Sequence, residues 1–176
     1  MSSPNKGIGT VVVALRWDPS PGGEPAHDLD IIAATYHADD PYGEPAYLVH
    51  FDSRSPDGTI TLNRDSRTGQ GFGDDEVMTL ELERLSSGYV RVVVGVAIQQ
   101  RWGRRVFADV ANAGVRISEG RTALRVDDFS SVADATAATV AEFARDSSGA
   151  WGFRGSVNGF DADPAMFARV MGADLG

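Results

Sequence analysis

The segment from Asn63 to Glu76 gathers carboxylates at Asp65, Asp74, Asp75 and Glu76 and glycines at Gly69, Gly71 and Gly73. Neighbouring carboxylates repel one another, so a folded loop that holds Asp74, Asp75 and Glu76 together needs water or a cation. Hard oxygen ligands on a flexible, glycine-rich loop suit calcium better than other common metals. Calcium takes about six to eight oxygens. Backbone carbonyls near Thr68 and Gly71, together with waters, would add to the four side chains, because glycines let the chain curl inward. Asp28-Leu29-Asp30 offers a second contribution. Residues two apart in a strand share a face, so Asp28 and Asp30 present paired carboxylates while Leu29 turns to the core.

The helix-loop-helix calcium template does not fit this loop. Asp65 and Glu76 stand at its first and last positions, but Arg67, Gly69 and Gln70 occupy the third, fifth and sixth, and the flanks read as strands. Solvated surface acids are the competing reading, since Asp-Asp and Asp-Gly pairs are frequent in turns. Other chemistries find less support. There are no cysteines, which excludes disulfides, thiolate zinc sites and cysteine nucleophiles. His27, His37 and His50 lack metal-ligand spacing, though His27 stands where it can orient Asp28. No nucleophile elbow supports a serine triad, and no Gly-Lys-Ser/Thr follows a strand to make a phosphate cradle. Paired carboxylates could serve glycoside hydrolysis, but clustered acids on one glycine loop read as ligands, and the chain is expected not to be an enzyme. Arg101, Arg104 and Arg105 with Trp102 form a small basic loop, either a solvated tip or a contact site for a partner.

The elements that must position these residues are short and strand-like. Thr10–Trp17, Leu29–Tyr36, Tyr47–Phe51 and Tyr89–Ile98 carry β-branched runs, and Tyr89–Ile98 suits a sheet buried on both faces. Ser55-Pro56-Asp57-Gly58 is a tight-turn signal, so Thr59–Leu62 is expected to return against Tyr47–Phe51 as a hairpin. Val77–Leu85 fits neither period cleanly. Val115–Ser118 and Thr122–Val126 flank Glu119-Gly120 as a hairpin. Ala138–Arg145 reads as helix by composition, but the following Asp146-Ser147-Ser148-Gly149 and Ala150–Val157 point to a strand pair instead. Asp163 as N-cap and Pro164 at the first helical position open a short helix to Met171, with Met166, Phe167 and Val170 on one face.

The expected fold is mainly β, a sandwich of two packed sheets with a few short helices, one of them near the C-terminus. All 176 residues form a single domain, with a core over 8–160 and a helical extension over 161–176. The net charge of −9 argues against nucleic-acid binding. The longest apolar run, Val92–Ile98, is too short to span a bilayer, and Met1–Thr10 lacks the apolar centre of a secretory leader. A cytoplasmic protein without direct membrane insertion is expected.

Asp28-Leu29-Asp30, Ser55-Pro56-Asp57-Gly58 and Thr68-Gly69-x-Gly71-x-Gly73-Asp74-Asp75-Glu76 resemble, in order and spacing, the TerD family of tellurium-resistance and stress proteins. Trp17-Asp18, Asn112-Ala113 and Gly149-Ala150-Trp151-x-Phe153 extend the resemblance over roughly residues 8 to 160. It implies a calcium-binding, cytoplasmic β-sandwich of a bacterial stress-response or tellurite-resistance system. The metal ligands it implies are Asp28, Asp30, Asp65, Asp74, Asp75 and Glu76, holding one or two calcium ions. The implied role is a non-catalytic sensor or scaffold that works with other proteins of a resistance complex at or near the membrane, with self-association through the C-terminal helix also open. The sequence departs from the family pattern: Ser66 stands for an Asn, Gln70 for a Glu, Phe72 for an Asp, and Gln100 where an acid is common. Fewer negative ligands weaken calcium binding, especially of a second ion, while Asp52, near a usual Asn, compensates in part. The alternative is a metal-independent interaction sandwich with a decayed calcium site.

Overall fold

The computed structural model describes residues 7–66, 68–70, 73–155 and 157–173. The strands are β1 (Thr10–Arg16), β2 (Leu29–His37), β3 (Tyr47–Val49), β4 (Ile60–Arg64), β5 (Glu76–Glu81), β6 (Tyr89–Ile98), β7 (Gly114–Glu119), β8 (Thr122–Asp127), β9 (Ala137–Arg145), β10 (Trp151–Arg154) and β11 (Asn158–Phe160), followed by helix α1 (Pro164–Val170). They form two antiparallel sheets. One runs β4-β5-β1-β7-β8; the other runs β10-β9-β6-β2-β3, with β11 also pairing with β9.

Alternation along β1 explains the sandwich. Val11, Val13 and Leu15 are fully buried, while their neighbours are only partly so. They meet Leu29, Ile31 and Ala33 of β2 and Val92, Val94 and Val96 of β6 in the core between the sheets. β6 is buried on both faces, as its valine run requires. Its outward Val93 and Ala97 join Ile32, Ala34 and Tyr36 of β2 in a second cluster, covered by Phe167, Ala168 and Met171. The helix starts as expected: Asp163 Oδ1 accepts a hydrogen bond from Met166 N at 2.8 Å, and Pro164 takes the first position, where no N–H is needed.

Two local expectations are corrected. Tyr47–Phe51 and Thr59–Leu62 do not pair as a hairpin. β3 adds to β2 in one sheet and β4 to β5 in the other, so the chain crosses between sheets there. The Asp57 turn does form, with Asp57 Oδ1 accepting from Thr59 N and Thr59 Oγ1, but a tight turn does not dictate which sheet the outgoing strand joins. Ala138–Arg145 is strand, as the turn at Asp146-Ser147-Ser148-Gly149 indicated: β9 is paired with β6 along one edge and with β10 and β11 along the other. On α1 the buried face is Phe167, Ala168 and Met171, and Met166 is exposed. The ambiguous Val77–Leu85 divides into β5 and a 3-10 turn at Leu82–Arg84.

Among the described residues no helix is long and apolar enough to cross a membrane.

Candidate metal centre

β3 pairs with β2 only at Ala33–Thr35. The start of β2 therefore has a free edge on that side, while its other edge pairs with β6 from Leu29↔Ile98 onward. The free amide of Ile31 needs an acceptor because it is buried. It finds Glu76 Oε1 at 2.9 Å, at the first residue of β5 in the opposite sheet. This contact brings Glu76 to the open edge of β2, beside Asp28 and Asp30, which lie on the face of β2 that also carries Ile32. Carboxylate oxygens of Asp28, Asp30 and Glu76 all lie within 4.8 Å of one another, and all three residues are buried.

The remaining hydrogen bonds leave oxygens over. Asp28 Oδ2 accepts from Arg101 Nη2 at 2.8 Å, and Asp30 Oδ2 from Gln99 Nε2 at 2.5 Å. Among the described residues, Asp28 Oδ1 and Glu76 Oε2 are buried without a hydrogen-bond donor. Without a cation the three carboxyls resist ionising. Burial, then the charge of Asp30, pushes Asp28 up to about 7. Burial raises Asp30 despite the bond from Gln99. Glu76 is pushed up to about 11 by burial first and by the Asp30 charge next. A buried acidic triad with two orphan oxygens fits a hard divalent cation, which would supply the charge these groups lack. The triad could hold a metal ion.

The other expected ligands are placed differently. Asp65 is exposed at the end of β4, yet its negative charge acts on Asp28, Asp30 and Glu76. Asp75 is buried and continues the ladder beside β1: its N donates to Leu15 O at 2.8 Å, and its Oδ2 accepts from Trp17 N at 2.7 Å. Asp74 is exposed. Gly69, at φ +78°, packs against Trp17, where a Cβ would lie 2.6 Å from Nε1 and 3.0 Å from the backbone carbonyl. That contact seats the acidic loop on β1. Ser66 Oγ accepts from Gly69 N at 3.1 Å, so this departure from the family pattern closes the turn itself. Gly71, Phe72 and Arg67 lie outside the described residues.

Two partners of the triad were not anticipated. The segment Gln99–Arg105 reads in the sequence as a basic loop; the structure lays Gln99 and Arg101 on Asp30 and Asp28. Gln100 ties the loop to itself, donating to Ile98 O and Arg105 O and accepting from Arg105 N. His27 does not orient Asp28. Its carbonyl accepts from Trp17 Nε1 at 2.9 Å, and its ring Nδ1 has no partner among the described residues. The only signal for Arg101 was its charge opposite two acids, and it carried no distance information. Asp30 also opens onto a cleft of about 630 Å³, with Ile32, Leu48, Phe51 and Ala168 on its apolar side and Asp52 at its rim.

A TerD domain description matches residues 1–169. The chain is 29% identical over 148 residues to the tellurium resistance protein TerD of an Alcaligenes species, covering 82% of this chain and 77% of that protein. It is 27% identical over 186 residues to general stress protein 16U of Bacillus subtilis (strain 168), covering 100% of this chain and 94% of that protein. Among solved structures, SCO6318 from Streptomyces coelicolor A3(2), described as a homologue of telluride resistance protein (TerD), superposes with a TM-score of 0.93 at 59% identity, over 95% of this chain and 99% of that one. With the family description matched from residue 1 to residue 169, and with two antiparallel sheets closing on an acidic cluster, the chain belongs to the TerD domain family.

Proposed function

We propose that this chain is a non-catalytic calcium-binding module of a bacterial tellurite-resistance or stress-response system, a sensor or scaffold in the cytoplasm. The observation that carries this reading is the convergence of Asp28, Asp30 and Glu76 from both sheets, with Asp28 Oδ1 and Glu76 Oε2 meeting no donor among the described residues. Asp65 stands near enough to act on the triad electrostatically and adds a carboxylate from the loop. Asp74 and Asp75 belong to the same loop, Asp75 held by its bond to Trp17 N. The reading is non-catalytic because the acids face one another as ligands do. Glu76 and Asp75 each also commit an oxygen to a backbone amide. One ion at the triad is favoured over two, since Ser66 and Gln100 use their side chains to hold loops. Calcium would tie the two sheets and order the surrounding loops, giving the surface that partner proteins of the resistance system recognise.

A second reading, a metal-independent interaction sandwich with a decayed site, draws on the guanidinium already seated on Asp28. Calcium titration by calorimetry of chelator-stripped protein, with thermal melting alongside, separates the two. Micromolar or tighter binding with a raised melting temperature is expected, because a ligand of the folded state stabilises it. No binding in the millimolar range and an unchanged melt would sink the calcium reading in favour of the second.

A further inference from the structure

We propose that Arg101 is a built-in competitor for the cation site, so that loading the triad exchanges a guanidinium for the metal and frees the loop that carries Trp102. The proposal rests on the calcium reading above. Arg101 Nη2 lies 2.8 Å from Asp28 Oδ2, against a carboxylate that is itself buried, while the arginine side chain remains 55% exposed. The arginine therefore reaches the acid from outside and can swing away without opening the core. It brings positive charge to a buried pair of acids that otherwise repel one another.

The geometry couples this contact to the surface. Gln100 locks the segment between Ile98 and Arg105 into one unit through three hydrogen bonds. Trp102, beside Arg101, is 65% exposed, and Gly103 adopts φ +102° at the turn. At the base, Gln99 N donates to Asp28 O at 2.9 Å, which keeps the strand pairing in register whether or not Arg101 is bound. Arg101 and the Gln99 side chain tie the Trp102 side of the loop to the acids, while Arg104 holds the far side to Asp134 O and Asp161. Arg101 ends on Asp28 Oδ2, the neighbour of the Oδ1 that meets no donor among the described residues, so a cation that takes Asp28 through both oxygens claims the acceptor that Arg101 uses. When Asp28 turns both oxygens to a cation, Arg101 loses its acceptor and is repelled by the new charge. The loop then presents Trp102 with an unpaired guanidinium beside it.

The test compares wild-type protein, Arg101→Ala and Arg101→Gln by calcium calorimetry and by tryptophan emission. Trp102→Phe serves to isolate the Trp102 signal from the buried Trp17 and Trp151. Wild type is expected to bind calcium with a change in Trp102 emission. Both Arg101 variants should bind about three- to tenfold tighter, the scale of a partly exposed ion pair. They should also show the calcium-loaded Trp102 emission before any calcium is added. Unchanged affinity, or tighter binding with the wild-type Trp102 response retained, would overturn the exchange while leaving the calcium reading intact. Binding by the variants alone supports it. Binding by none of the proteins overturns the calcium reading and the exchange with it. The glutamine variant removes the charge and shortens the reach to Asp28 while keeping a polar side chain, so it carries the test if the alanine variant is poorly folded.

Discussion

At Glu76, burial and neighbouring negative charge act in the same direction, and the consequence is a pH dependence with a definite sign. In the unfolded chain this carboxyl ionises near 4.5; in the folded, metal-free chain it holds its proton to about 11. Between those values the folded state binds more protons than the unfolded state, so stability falls as pH rises. Asp28 adds to the loss over the narrower window from 3.8 to about 7. Metal-free protein is therefore expected to melt lower at pH 8 than at pH 6, by up to roughly a kcal/mol per pH unit for each proton involved. Glu76→Gln mimics the protonated acid and can keep an oxygen on Ile31 N. It should leave the melt at pH 6 nearly unchanged, flatten its decline above pH 7 and abolish stabilisation by calcium. A variant that still gained stability from calcium would remove Glu76 from the metal site. At this scale the sequence was partly legible. Residue type and a spacing of two suffice to pair Asp28 with Asp30, and adjacency suffices to group Asp74, Asp75 and Glu76. It was silent on Arg101, which reaches Asp28 across 73 positions, and on Asp75, whose oxygen serves Trp17 N, because nothing local to either residue encodes the partner.

Between elements, the same distinction separates what local pattern reveals from what pairing decides. The valines of β6 announce burial on both faces, and the structure supplies the second face as α1. At Gly95 the helix comes close to the strand. A Cβ there would lie 2.5 Å from Phe167 Cζ and 2.9 Å from Ala138 O. Gly95→Ala must therefore displace either the helix or a neighbouring strand, at a cost of about 1–3 kcal/mol, read as a lowered thermal midpoint with earlier proteolysis of α1. Combining it with Phe167→Leu should recover part of the loss, because the clash is with the far end of the ring; no recovery would place the strain in β9 instead. The hairpin expected from Ser55-Pro56-Asp57-Gly58 failed for a related reason. The turn is encoded within four residues, but the choice of β5 over β3 as partner for β4 depends on Ile60 reaching the core between the sheets. Ala138–Arg145 has helical composition, yet Ala138 and Ala141 are buried in the core between the sheets, where pairing with β6 overrides propensity.

For the whole molecule, the location of the triad matters as much as its chemistry. Asp28 and Asp30 belong to the β2 sheet and Glu76 to the β5 sheet, so one cation would cross-link the two layers at one end of the sandwich. The opposite end is closed differently. There Arg91 donates to Glu142 and to the carbonyls of Pro41 and Gly172, and its guanidinium lies over the Tyr36 and Tyr42 rings, binding sheet, loop and C-terminal segment without a metal. Chelation should therefore loosen the molecule from one end only. Hydrogen exchange is expected to quicken at the amides of Ile31 and Trp17, whose acceptors are Glu76 and Asp75, and to stay unchanged in the Arg91–Glu142 half of β6 and β9. At a calcium concentration about a hundredfold above the dissociation constant, the stabilisation should approach about 2.7 kcal/mol. It should appear first as protection at the triad end. Uniform protection across both ends would mean that the cation acts on the global unfolding equilibrium alone. No protection at Ile31 would mean that calcium, if bound, sits away from the junction of the two sheets.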